Sequence, residues 1–194
     1  MDTTDIVETN NNPGNRKLNM LVAITVALLA TFMGICKVKD DNINQAMQQL
    51  QANRIDHWNY YQARNVREEV AKSTLVQLRL GLAGRPEAEQ AGYRAAIKQY
   101  EDLVADQEKK KAETRTQAEQ DQRDYDAANF RDDQFDLSDA LLAIAISLLA
   151  ITALTEMFGL YLVALVPTAF GVLMGVAGLA GWPIHPNALV ALLS

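Results

Sequence analysis

The chain has 194 residues, a net charge of −6 and a mean hydropathy close to zero, −0.09. That acidic balance speaks against nucleic acid, because displacing counterions from phosphate takes a basic patch. A single cysteine, Cys36, excludes an intramolecular disulfide framework, and the two histidines, His57 and His185, lie far apart in sequence.

The average hydropathy conceals two very apolar ends around a polar middle. A polar tail, residues 1–17, precedes Leu18–Cys36, which holds no acidic or basic side chain; Ala140–Ser194 carries one charge, Glu156. A helix rises about 1.5 Å per residue, so roughly 20 apolar residues cross a hydrocarbon layer about 30 Å thick. Leu18–Cys36 is expected to be the first membrane span, Leu137–Glu156 the second and Gly159–Trp182 the third, followed by a tail, residues 183–194. Glu156 and Gly159 mark a tight turn between the last two, and Pro167 is expected to kink the third. Polar residues precede Arg16, and Ile35 rather than a small residue precedes Cys36, so a retained anchor is expected over a cleaved signal or a lipidated cysteine.

Residues 37–136 read as an extramembrane helical hairpin. Its one strong breaker is residues 81–86, Gly81-Leu82-Ala83-Gly84-Arg85-Pro86. Glycine suits a left-handed helix end, and proline suits the first turn of the next helix. Helix-forming composition on either side places one helix at Val38–Leu80 and the other at Pro86–Gln134. Neither has a breaker where it meets a span, so each is able to run on into the membrane.

Antiparallel pairing across the turn brings Val66, Val70, Leu75 and Leu78 to apolar residues between Ala88 and Val104, which predicts a two-helix core there. Nearer the membrane the first helix carries Ile43, Met47, Leu50, Ile55 and Trp58, while the second offers mainly Ala112 and Ala118 among charged and amide side chains. Either an alanine seam under long side chains covers this stripe, or a second copy of the protein does. Gly171 and Gly175 in the third span, one turn apart, would let a neighbouring helix approach closely. Met47, Leu50, Ile55, Trp58, Gly171 and Gly175 are therefore the expected interface of a homo-oligomer. At the hairpin base, Lys37 and Lys39 are expected to pair with Asp132, Asp133 and Asp136.

The chain has no phosphate loop, no paired-cysteine motif, no zinc-protease motif and no nucleophile elbow. His57 reads as a solvated or interface imidazole and Glu156 as a turn residue that water can reach. Asp136 and Asp139 suit the N-terminal end of the second span. Lys109, Lys110 and Lys111 sit among Asp106, Glu108 and Glu113 and read as a solvated helix face. No catalytic residue, metal site or cofactor is expected. Basic residues near the membrane on the hairpin side, Lys37, Lys39, Arg54, Arg123 and Arg131, outnumber Arg16 and Lys17 on the other, which favours a cytoplasmic hairpin.

Two stretches carry a resemblance. Ile55-Asp56-His57-Trp58-Asn59-Tyr60-Tyr61-Gln62-Ala63-Arg64 follows the first span, and Phe135-Asp136-Leu137-Ser138-Asp139-Ala140-Leu141-Leu142 opens the second. Together they resemble the bacterial family catalogued as domain of unknown function 4337, from about Leu18 to Trp182. The resemblance implies a multi-pass protein of the bacterial inner membrane and brings no activity or cofactor. The expected fold is thus an all-α membrane protein, three transmembrane helices with a long, coiled-coil-like antiparallel hairpin between the first and second. The expected function is a non-enzymatic membrane-anchored scaffold or accessory subunit that contacts lipid, self-associates and presents its hairpin to partner proteins. The alternative is an oligomeric channel or transport-related protein, against which stands the scarcity of polar residues in the spans.

Overall fold

The computed structural model describes residues 13–184; the first twelve residues of the N-terminal tail and the C-terminal tail beyond residue 184, His185 included, lie outside the described residues. Among the described residues the fold is all-helical: α1 Pro13–Leu82, α2 Glu87–Thr155 and α3 Phe158–Ala180, with no strand. Each holds a window long and apolar enough to cross a membrane. The charge-free stretch and the polar stretch of α1 join without a break, as do those of α2, because neither junction contains proline to interrupt the i→i−4 hydrogen bonds, and Gly34 near the first only lowers helix propensity.

The contacts divide the chain into two units, residues 1–45 with 128–194 and residues 46–127. In the first, Leu18, Val22 and Leu29 of α1 pack with Leu142, Ala145 and Leu149 of α2 and with Ala164 of α3. Glycines bring α3 close. A methyl group on Gly171 would lie 2.8 Å from the Leu142 side chain, and one on Gly178 would lie 2.9 Å from the Phe135 ring. Ser138 Oγ donates to the Gly171 carbonyl at 2.8 Å, so a buried hydroxyl is satisfied across the α2–α3 contact. The turn between α2 and α3 is tighter than the glycine suggested. Glu156 itself adopts the left-handed conformation, φ 57°, while Gly159 lies inside α3. Asn15 Nδ2 donates to Glu156 Oε2 and ties this turn to the start of α1.

The second unit is an antiparallel pair of helix segments closed by the predicted breaker. Arg85 N–H donates to the Leu82 carbonyl at 3.2 Å, Pro86 follows, and the Arg85 guanidinium lies 5.3 Å from the centre of the Tyr93 ring. Gly81 is needed for close approach, because a methyl group there would stand 2.9 Å from Tyr93. Ala71, Leu75 and Ala118 are buried. Val66 and Val70, expected in the core, are instead exposed, at 62% and 61%. At about 100° per residue they lie well away from the arc that carries Ala71 and Leu75, and a helix cannot turn both arcs inward against one partner.

Candidate interaction surface

The contact between the two segments carries polar cross-links beside alanine: of the two seam alanines, Ala118 is buried and Ala112 exposed. His57 Nδ1 lies 2.6 Å from Asp121 Oδ2 and Arg64 donates to Gln107 at 3.1 Å, while Arg79 meets Glu101 at 2.6 Å on the exposed side. Arg54 donates to Gln122 and stacks its guanidinium 5.8 Å from the Tyr125 ring centre. Glu68, 1% exposed, anchors this ladder: it meets Lys72 of its own helix at 2.5 Å and Lys111 of α2 at 2.5 Å. Those two ammonium groups, Lys111 first, hold its carboxyl below the ordinary range against the opposing effect of burial. Lys111, assigned by sequence to a solvated triplet, thus turns inward while Lys109 stays on the surface.

With its polar groups turned inward, α1 presents apolar ones outward. Ile55, Trp58, Val66, Val70, Val76 and Leu80 are all exposed, Leu80 most of all at 72%. At about 100° per residue these six fall within about 60° of Ile55, and on that arc from Gln48 to Leu80 the only charge is Glu69. The stripe drawn from sequence therefore divides. Met47 is buried and Leu50 half-buried, whereas Ile55 and Trp58 face out, with the Trp58 and Tyr61 rings packed edge-to-face at 5.4 Å.

In the first unit the arrangement is inverted relative to a water-soluble bundle. Ser138, Thr152 and several glycines lie inside, while Leu28, Ile144, Leu154, Val163, Val166 and Phe170 lie outside. Gly171 and Gly175 do not form a free face for a neighbouring subunit, as expected from sequence. They are filled by this chain's own side chains, Gly175 by Phe32 and Ser138 at 2.7 and 2.8 Å from a would-be methyl. Small residues in α3 mark sites of close approach, and sequence does not say to which helix.

Where the polar part of α1 meets that of α2 inside this unit, the expected opposite-charge pairing takes another form. Lys37 turns to Asp40 at 2.8 Å and Asp41 at 3.5 Å on its own helix, and Lys39 is exposed. The link across to α2 is an amide. Asn44 Nδ2 donates to Asp132 Oδ1 at 2.9 Å and, more loosely, to Asp40 Oδ1 at 3.4 Å. Burial, the adjoining Asp40 carboxyl and Asp136 push Asp132 up to about 7; burial and Asp40 also raise Asp136, with Lys37 opposing. The sequence missed Asn44 and Asp40 because nothing about their spacing distinguishes them from other polar helix residues.

A family model described as domain of unknown function, DUF4337, matches residues 18–181. The chain belongs to this family. No curated protein and no solved structure matches the chain. The DUF4337 match takes in all three apolar windows, the Trp58-Asn59-Tyr60-Tyr61-Gln62-Ala63-Arg64 run and the Phe135–Leu142 stretch. In that run the structure splits the roles. Arg64 bonds across to α2, and Trp58 belongs to the outward arc.

Proposed function

We propose that this DUF4337 protein is a membrane-anchored scaffold or accessory subunit without an enzymatic role, which self-associates through the outward face of α1 and presents its helical hairpin to partner proteins. The observation that carries the reading is the exposed, almost charge-free arc of Ile55, Trp58, Val66, Val70, Val76 and Leu80. An apolar stripe of this length on a water-exposed helix is costly to leave uncovered. From Ile55 to Leu80 it runs for roughly 38 Å at about 1.5 Å per residue, and a helix is about 10 Å across. Two such faces would together bury on the order of 750 Å², the size of a weak, transient interface. The apolar exterior of the first unit supports its role as the anchor, since lipid tails solvate Leu, Val and Phe that water would not.

Trp58 is expected to contribute most to the association, as a large aromatic near the stripe's membrane-proximal end. Trp58→Glu and Val66→Glu should each reduce the particle mass in mild detergent, with helical content retained. A wild-type monomer at micromolar concentration, or unchanged mass in both variants, would rule the stripe out as a homotypic interface.

The excess of Lys37, Lys39, Arg54, Arg123 and Arg131 over Arg16 and Lys17 favours a cytoplasmic hairpin, and the resemblance to the bacterial family favours the inner membrane as the compartment. A reporter inserted at Gly84 should be active only in its cytoplasmic form. Activity of a periplasmic reporter at that position reverses the topology.

A further inference from the structure

We infer that Asp40 and Asp132 form a shared-proton site between α1 and α2, and that loss of this proton loosens the two helices beside Cys36. The inference is independent of self-association. It starts from an arrangement that electrostatics disfavours: two carboxyl groups, from different helices, gathered on one amide nitrogen of Asn44. Asp40 is 3% exposed, so water does little to separate the charges. Asn44 Nδ2 lies 3.4 Å from an oxygen of Asp40 and 2.9 Å from one of Asp132, which sets the two carboxyl groups side by side. Two carboxylates are acceptors only, so a bond between them requires one proton.

The surrounding charges favour keeping that proton on Asp132. From α1, Lys37 is committed to Asp40 and Asp41, which stabilises Asp40 as the carboxylate. From α2, Asp133 and Asp136 add negative potential at Asp132, and Asp139 lies one turn beyond Asp136. Arg131 reaches toward Gly181 at the end of α3, and the only titratable residue of α3 itself is Tyr161. With the proton present, Asp132 O–H donates to the Asp40 carboxylate and Asn44 donates to both, so each group has a partner. Without it, Lys37 offsets Asp40, and Asp132 is left as a second carboxylate with only the Asn44 amide to offset it.

The sign of the pH dependence follows. Asp132 titrates at an ordinary 3.8 when the chain is unfolded and at about 7 in the folded unit. The folded unit therefore holds the extra proton in this window. The stabilisation is full below the unfolded value and is lost as pH rises to about 7. A change of pH around neutrality would then adjust the α1–α2 contact at the start of the apolar spans. The native reporter is Cys36, which lines a small cleft with Lys37, Asp40, Phe135 and Asp139.

The test uses the full chain in lipid nanodiscs. Infrared difference spectra should show the carbonyl stretch of a protonated carboxylic acid that disappears with a midpoint near 7 in the wild type and is missing from Asp132→Asn. Asp40→Asn removes the anionic acceptor, so the midpoint should fall by at least about one pH unit. Maleimide labelling of Cys36 should accelerate through the same midpoint in the wild type relative to Asp132→Asn, whose amide mimics the protonated acid. Absence of a titrating carboxylic acid between about pH 5 and about pH 8, or a band unchanged in Asp132→Asn, overturns the site. Identical labelling profiles for wild type and Asp132→Asn overturn the loosening.

Discussion

Gly175→Leu is expected to disrupt the three-helix packing of the first unit while leaving the apolar windows of all three helices intact. A first carbon on Gly175 already falls 2.7 Å from the Phe32 ring and 2.8 Å from Ser138 Oγ, inside the distance real side chains tolerate. The ring and the hydroxyl cannot both yield, because Phe32 packs against the core cluster and Ser138 donates to the Gly171 carbonyl at 2.8 Å. Overpacking of this kind costs about 1–3 kcal/mol. Losing the interhelical hydroxyl bond adds on the order of 0.6 kcal/mol in a membrane setting. Gly175→Ala should show part of the loss and Gly175→Leu at least all of it. Gly34→Ala is the control: nothing lies within 4 Å of its would-be methyl, and alanine gains about 0.8–1.0 kcal/mol of helix propensity over glycine. Thermal unfolding in detergent should rank Gly34→Ala at or above wild type, then Gly175→Ala, then Gly175→Leu. Equal stability of Gly34→Ala and Gly175→Leu would mean that α3 does not pack where the structure has it. A change in particle mass without a change in unfolding would instead return Gly175 to an intersubunit role.

Removal of Glu68 should have a comparable effect on the second unit. Its carboxylate is the only acidic partner of Lys111 among the described ion pairs, and it meets Lys111 and Lys72 at 2.5 Å each. Glu68→Ala leaves two ammonium groups close together with their shared counterion gone. Removing one partner of a deeply buried pair costs about 3–5 kcal/mol. Here the cover is made of lysine stems in a two-helix layer, with water close by, so about 2–3 kcal/mol is the expected loss. Glu68→Gln should lose less, and Lys111→Met in the Glu68→Ala background should recover part of it. Because the two lysines depress its pKa below 4.5, the contribution of Glu68 is full above that value and is lost as pH falls through the folded value. Acid should therefore weaken the wild-type hairpin more steeply than Glu68→Gln. Amide exchange across residues 64–72 and 107–111 measures this locally. A Glu68→Ala protein within about 0.5 kcal/mol of wild type, the range of an ordinary surface change, would show that the pair is solvated and contributes nothing.

The two carboxyl groups respond to pH in opposite directions for one physical reason. Glu68 is flanked by cations and Asp132 by anions, so burial strengthens an attraction in the first case and a repulsion in the second. The hairpin unit is accordingly sensitive to acid, and the Asp40–Asp132 contact to the rise toward neutrality.

Much of this architecture is written in the local sequence. Three charge-free windows are each long and apolar enough to cross a membrane, and a helix pairs its backbone donors within such a stretch. Gly84-Arg85-Pro86 ends one helix and starts another whatever surrounds it, and α1 and α2 stop and start there. The Trp58–Arg64 and Phe135–Leu142 runs, which carry the resemblance to the family, are equally local. What the sequence could not decide is which arc of each helix faces which neighbour. Met47 and Ile55 are both apolar and two turns apart, yet about 80° separates them around the axis, and one is buried while the other is exposed. Gly175 could serve any helix that reached it; only the packed bundle selects Phe32 and Ser138. Asp40 and Asp132 are 92 positions apart, and like charges give no reason to bring them together. They meet because the apolar packing of the spans and the antiparallel register of α1 and α2 fix both helices at that level, and the local electrostatics must adapt to a contact that larger forces impose.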